Sequence, residues 1–126
     1  MSETRIAGVH RDQFRALVAE AVMVALVAKD AVLLVGNDTR EAVVRRAAIL
    51  AVDVADPLWE ALAELPSCYD NETRLATAVR CYAQLIGWYG DLAHRGPEDR
   101  KAIVEQSVRG AVMAATALVE ELTVPR

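Results

Sequence analysis

Aromatic residues are scarce in this chain of 126 residues: one Phe, two Trp and three Tyr make 5% of it, while the broad hydrophobic count is 54%. Ala, Val and Leu therefore supply nearly all the apolar surface, a mixture that favours helices over sheets. Two cysteines are too few for a disulfide framework, and no leader-like stretch is evident before the first helix, so a reduced, cytoplasmic setting with free thiols at Cys68 and Cys81 is expected. A net charge of -4 argues against nucleic acid as the main partner. The longest apolar stretch, Ala16 to Val35, is interrupted by Glu20, Lys29 and Asp30, which argues against a membrane span.

What is present reads as one all-α domain over residues 1–126, with 1–9 as a flexible N-terminal arm. The expected architecture is a four-helix up-down-up-down antiparallel bundle. Helix one begins near His10 or Arg11 and stops at Gly36-Asn37, either of which can take the left-handed conformation that closes a helix. Asp38-Thr39-Arg40-Glu41 has the form of a capping box and opens helix two. Pro57 lacks an amide hydrogen, so helix two is expected to be kinked or split near it. Leu65-Pro66-Ser67 ends that helix, and Ser67 to Asp70 offers caps for helix three, which runs to about His94. Pro97 after Arg95-Gly96 marks the first position of helix four, which reaches about Leu122.

At 100° per residue, helix three places Leu75, Ala78, Val79, Tyr82, Leu85, Ile86, Tyr89 and Ala93 on one side. Helix four places Val104, Val108, Ala111, Ala115, Leu118 and Leu122 together. Helix two confines Arg45, Arg46, Asp53, Asp56, Glu60 and Glu64 to one polar sector and leaves an unusually wide apolar arc. Helix one has two apolar faces: Phe14, Leu17, Val18, Ala21, Ala25 and Val32 form one, and Met23, Leu26, Val27 and Leu34 the other. A wet second face would forgo about 1.5 to 3 kcal/mol for each large aliphatic side chain. The expectation is a symmetric homodimer through Met23, Leu26, Val27 and Leu34, extended by helix two and anchored by Trp88. Gly110, Ala114 and Ala117 on helix four offer a second place for close helix approach.

Chemistry-bearing constellations are few. Asp53, Asp56 and Glu60, with Glu64 beyond, form an acidic stripe close enough in sequence for two or three carboxylates to bind Mg²⁺ or Mn²⁺. The stripe resembles the acidic motifs of all-α nucleotide pyrophosphohydrolases, and the resemblance implies a metal-dependent hydrolase of a nucleotide-like substrate; helix three, however, carries no matching Glu-x-x-Asp. Asp91 and His94 have the three-residue spacing of di-iron bundle ligands, but they fall on the polar side of helix three without the companion glutamates. Glu20 is the one acid embedded in the apolar stretch of helix one. No nucleophile with a base beside it is identifiable. The reading preferred on these grounds is a non-enzymatic assembly module without a cofactor. It forms a homodimer and binds a partner helix or an apolar small molecule; the metal-dependent hydrolase is the alternative.

Overall fold

The computed structural model describes residues 5–6, 8–29, 40–64, 71–89 and 96–125. Two short strands, β1 (Arg5–Ile6) and β2 (Val9–His10), pair antiparallel with Arg5 opposite His10 and Ile6 opposite Val9. Gly8 makes the reversal with φ of 79°, a conformation that costs glycine little because it has no Cβ. The segment expected as a flexible arm thus carries a minimal ladder.

Five helices follow: α1 (Arg11–Lys29), α2 (Arg40–Asp53), α3 (Ala55–Ala63), α4 (Glu72–Tyr89) and α5 (Pro97–Leu122). Local chemistry accounts for where they start. At α1 the Gln13 side-chain carbonyl accepts a hydrogen bond from the His10 amide at 3.1 Å, the reach-back half of a capping box, and Asp12 lies in the first turn. At α4 the Asn71 side chain accepts from the Arg74 amide at 2.9 Å, which makes Asn71 the N-cap. At α5 Pro97 occupies the first turn, where a missing amide hydrogen costs nothing, and Glu98 and Asp99 oppose the helix dipole. Val54 separates α2 from α3. Pro57 cannot supply the amide that the Asp53 carbonyl would need from four residues on, so the peptide bonds just before it have a weakened claim to helix. The expected stop at Gly36-Asn37, the capping residues Asp38 and Ser67 to Asp70, Cys68, the pair Asp91 and His94, and Leu34 all lie outside the described residues.

The chain is all-α in class, with helices packed against one another around a shared core. α4 packs extensively against both α5 and α1; α3 touches α1 and α5; α2 rests on α1 and meets α3 only slightly. Neighbours therefore run α1, α4, α5, α3 around the core rather than in chain order. The innermost side chains are Phe14, Val18 and Val22 of α1, Leu58 and Leu62 of α3, and Tyr82 and Ile86 of α4. Phe14 and Trp59 meet with ring centroids 5.1 Å apart and planes inclined at 57°, a tilted aromatic contact. Close approach of α1 and α4 is made by small residues. A Cβ added at Gly87 would lie 2.8 Å from the Ala25 Cβ, so only glycine fits there without displacement.

The placement of α3 follows from its ion pairs. Arg11 reaches both Asp56 and Glu60, and Arg15 reaches Asp56, so the first turns of α1 lie beside α3. Among the described residues α5 is the one helix long and apolar enough, by length and composition, to cross a membrane; its best window has a mean hydropathy of 1.3. One side of it is inside the bundle, where Ile103, Val104, Ser107, Ala111, Ala115 and Val119 are buried.

Candidate interaction surface

The apolar arc of α2 is wider than its contacts. Leu50 and Ala51 are buried and Ala47 packs partly against the core, which uses the side that rests on α1. The opposite side is solvent-facing, with Val44 38%, Ile49 58% and Val52 46% exposed and Ala48 between them. At 100° per residue Val44, Ala48 and Val52 follow one another at 40° steps, and Ile49 lies 60° beyond Val52, so the four share one broad face of the helix. Glu41 and Arg45 lie within that face and Asp53 at its edge, and all three are exposed.

The face of α1 expected to meet a second subunit is largely used within one chain. Leu26 is 6% exposed and belongs to the core; Met23 is half-buried and packs against that core, and Val27 is half-buried. The premise that this side of helix one lacks cover in a single chain therefore does not hold. The physical reason is that α1 has three neighbours, α2, α3 and α4, which between them cover Leu26 and much of Met23 and Val27. Trp88 is not enclosed in the core. It sits at the end of α4 with 72% of its surface exposed, whereas Trp59 is enclosed against Phe14. The outer face of α2, whose wide apolar arc is present in the sequence, keeps Val44, Ile49 and Val52 exposed.

The acidic stripe is not gathered into a metal centre. Asp56 takes three hydrogen bonds from Arg15, at 3.3 Å from Nε and at 3.1 and 3.4 Å from one terminal nitrogen, and lies 3.6 Å from the Nε of Arg11. Glu60 is paired with Arg11 at 3.4 Å. Asp53, on the other side of the break at Val54, is exposed and joins neither pair. Among the described residues no group of three or more His, Cys, Asp or Glu side chains is placed to share one metal ion. The chemical work of Asp56 and Glu60 in this arrangement is to clip α3 to the first turns of α1. These groups are substantially exposed, so each clip contributes at most about 1 kcal/mol.

Glu20 is exposed rather than enclosed. It stands on the rim of an open groove of about 460 Å³ between α1 and α4, floored by Leu17, Ala21, Val24 and Val79 and edged by Glu72 and Arg80. A second groove of about 440 Å³ runs between α3 and α5, over Ala61, Val108, Val112 and Met113, with Glu60, Glu64, Glu105 and Arg109 at its margins. Neither holds the paired acid and base or the nucleophile that hydrolysis or group transfer needs. Cys81 is a half-buried free thiol on α4.

Among the described residues Tyr82 is the one titratable group whose proton affinity the fold clearly alters. Its ring is buried, its hydroxyl donates to the Val54 carbonyl at 2.5 Å, and desolvation pushes its pKa far above the ordinary 10.0. The phenol is therefore a fixed hydrogen-bond donor holding the junction of α2 and α3, not an acid for chemistry. Comparison with protein families, with curated proteins and with solved structures finds no match for this chain.

Proposed function

We propose that this protein is a non-enzymatic helical assembly module whose partner is a second copy of itself, joined through the outer face of α2. The observation that carries the reading is the strip Val44, Ala48, Ile49 and Val52, left facing water on a helix that has one substantial neighbour. Large aliphatic side chains in a continuous exposed row are a recurrent mark of a contact surface. The strip belongs to a 14-residue helix about 21 Å long, so pairing it with a copy buries a modest area. Association in the range of about 1 to 100 µM fits that scale better than nanomolar affinity.

For the whole chain we infer an up-down-up-down order of directions in which α2 and α3 serve as one arm bent near Pro57; the pairing of Arg11 with Glu60 and of Arg15 with Asp56, as a reversed α3 would place them, supports this. A cytoplasmic setting accords with the free thiol of Cys81. The two open grooves are where an apolar small molecule or a partner helix would be accommodated. The Mg²⁺- or Mn²⁺-dependent hydrolase has less support, because arginines occupy the carboxylates of Asp56 and Glu60.

Sedimentation of the full chain tests the main reading. The wild-type protein is expected to move from monomer to dimer across tens of micromolar. Ile49→Glu is expected to remain monomeric with an unchanged helical circular dichroism spectrum, since its side chain is exposed in the single chain. A wild-type protein that stays monomeric throughout that range would overturn the proposal.

A further inference from the structure

The charges that frame the α2 strip specify how two copies would meet. Arg45 stands four residues before Ile49 and Asp53 four residues after it, so at 100° per residue they lie about 40° to either side of the Ile49 direction. Both side chains are exposed, and neither forms an ion pair among the described residues. Their neighbours in the acidic stripe differ: Asp56 and Glu60 are already held by Arg11 and Arg15. One cation and one anion, equally spaced about an exposed isoleucine and without an ion-pair partner among the described residues, make a self-complementary pattern.

We propose that two copies pair through α2 in antiparallel sense, about a two-fold axis beside Ile49, so that Arg45 of each faces Asp53 of the partner subunit. This rests on the self-association proposed above and deepens it. In the antiparallel arrangement the operation that brings Ile49 against its own copy carries position 45 onto position 53 at both ends, and two attractive contacts form. A parallel arrangement sets Arg45 against its copy and Asp53 against its copy, which is repulsive at both ends. The apolar strip supplies the attraction, and the two charged residues select its direction.

Charge reversal separates this geometry from self-association in general. Arg45→Glu places two acids opposite each other at both ends of the antiparallel pair, and Asp53→Arg places two bases there. Each variant alone is expected to dimerise about tenfold more weakly than wild type in low salt, with the difference shrinking as salt is raised. The double variant Arg45→Glu with Asp53→Arg restores the complement and should return to wild-type affinity. An equimolar mixture of the two single variants should form the heterodimer in preference to either homodimer, read by native mass spectrometry with one variant isotopically labelled. If both single variants dimerise like wild type while Ile49→Glu is monomeric, self-association stands and the antiparallel pairing is wrong. If Ile49→Glu also dimerises like wild type, the α2 face is not the contact and both proposals fall.

Discussion

α4 and α2 are both helices rich in small and branched apolar residues, yet they end in opposite circumstances. α4 lies between α1 and α5 and buries eight residues, from Arg74 to Gly87, on two sides. α2 leans on α1 and, within its own span, buries Leu50 and Ala51 while Val44, Ile49 and Val52 stay wet. The difference teaches that apolar content sets how much surface a helix needs to cover, whereas the number of neighbours sets how much is covered. A helix with two flanking partners is a core element; one with a single partner keeps a face for something else.

The sharpest way to break this comparison is to make the same substitution in both helices. Ile86 on α4 is fully buried and Ile49 on α2 is more than half exposed. Ile86→Ala removes packed methyl groups and leaves a cavity, for an expected loss of about 2 to 5 kcal/mol in urea unfolding. Ile49→Ala should change the stability of dilute protein by no more than about 0.5 kcal/mol. At concentrations where dimers form, the Ile49→Ala deficit should grow, because folding is then coupled to association. Equal costs for the two variants in dilute solution would mean that α2 is as enclosed as α4, and the contrast would be lost.

A smaller effect is expected where the two regions are tied together. Tyr82 of α4 donates its hydroxyl to the Val54 carbonyl, at the point where α2 gives way to α3. Tyr82→Phe leaves that carbonyl without its donor and is expected to cost about 1 to 3 kcal/mol at neutral pH. The pH dependence has a definite sign. Burial raises the pKa of the folded phenol above the ordinary 10.0 of the unfolded chain, so the folded state holds this proton more tightly. The resulting stability is fully present below pH 10.0 and is lost as pH rises beyond it toward the folded value. Urea midpoints measured from neutral pH to beyond pH 10.0 should therefore fall more steeply above that pH for wild type than for Tyr82→Phe. Parallel slopes would show that the hydroxyl is not buried at the junction.

Much of the helical framework was legible because it is written in local chemistry. The starts at Arg11 and Pro97 follow from a side-chain cap and from a proline with two acids behind it, features that need no knowledge of the rest of the chain. The buried side of α4 was legible too: Leu75, Ala78, Val79, Tyr82 and Ile86 recur at helical spacing and are all enclosed. The same wheel misplaced Leu85, which is 36% exposed, and that of helix four misplaced Leu118 and Leu122, exposed where α5 nears its end. Periodicity states which way a side chain points but not whether a neighbour reaches that far. Leu26 and Ile49 show the limit most plainly. Both lie on apolar faces, and what distinguishes them is that α1 has three partners and α2 one, a property of tertiary arrangement that no single helix carries in its own residues. The partners of the acidic stripe were hidden for a related reason, since Arg11 and Arg15, which pair with Asp56 and Glu60, lie more than forty residues away in sequence.

The smallest expected effect has the opposite sign, and it tests whether the α4–α5 side is as dry as α2 is wet. Ser107 is 2% exposed on the inward face of α5, among Ile103, Val104 and Ala111, and its hydroxyl has no hydrogen-bond partner among the described residues. A buried hydroxyl without a partner has lost its hydrogen bonds to water and gained none in return, a penalty of about 1 to 3 kcal/mol against a small loss of packing when the oxygen is removed. Alanine is also the better helix former, by a few tenths of a kcal/mol. Ser107→Ala should therefore raise stability, by about 1 kcal/mol, read as a higher urea midpoint with an unchanged slope. A loss of similar size would instead mean that the hydroxyl is satisfied in solution, most simply by turning back onto the carbonyl one helical turn earlier, and that this part of the core is held by polar as well as apolar contacts.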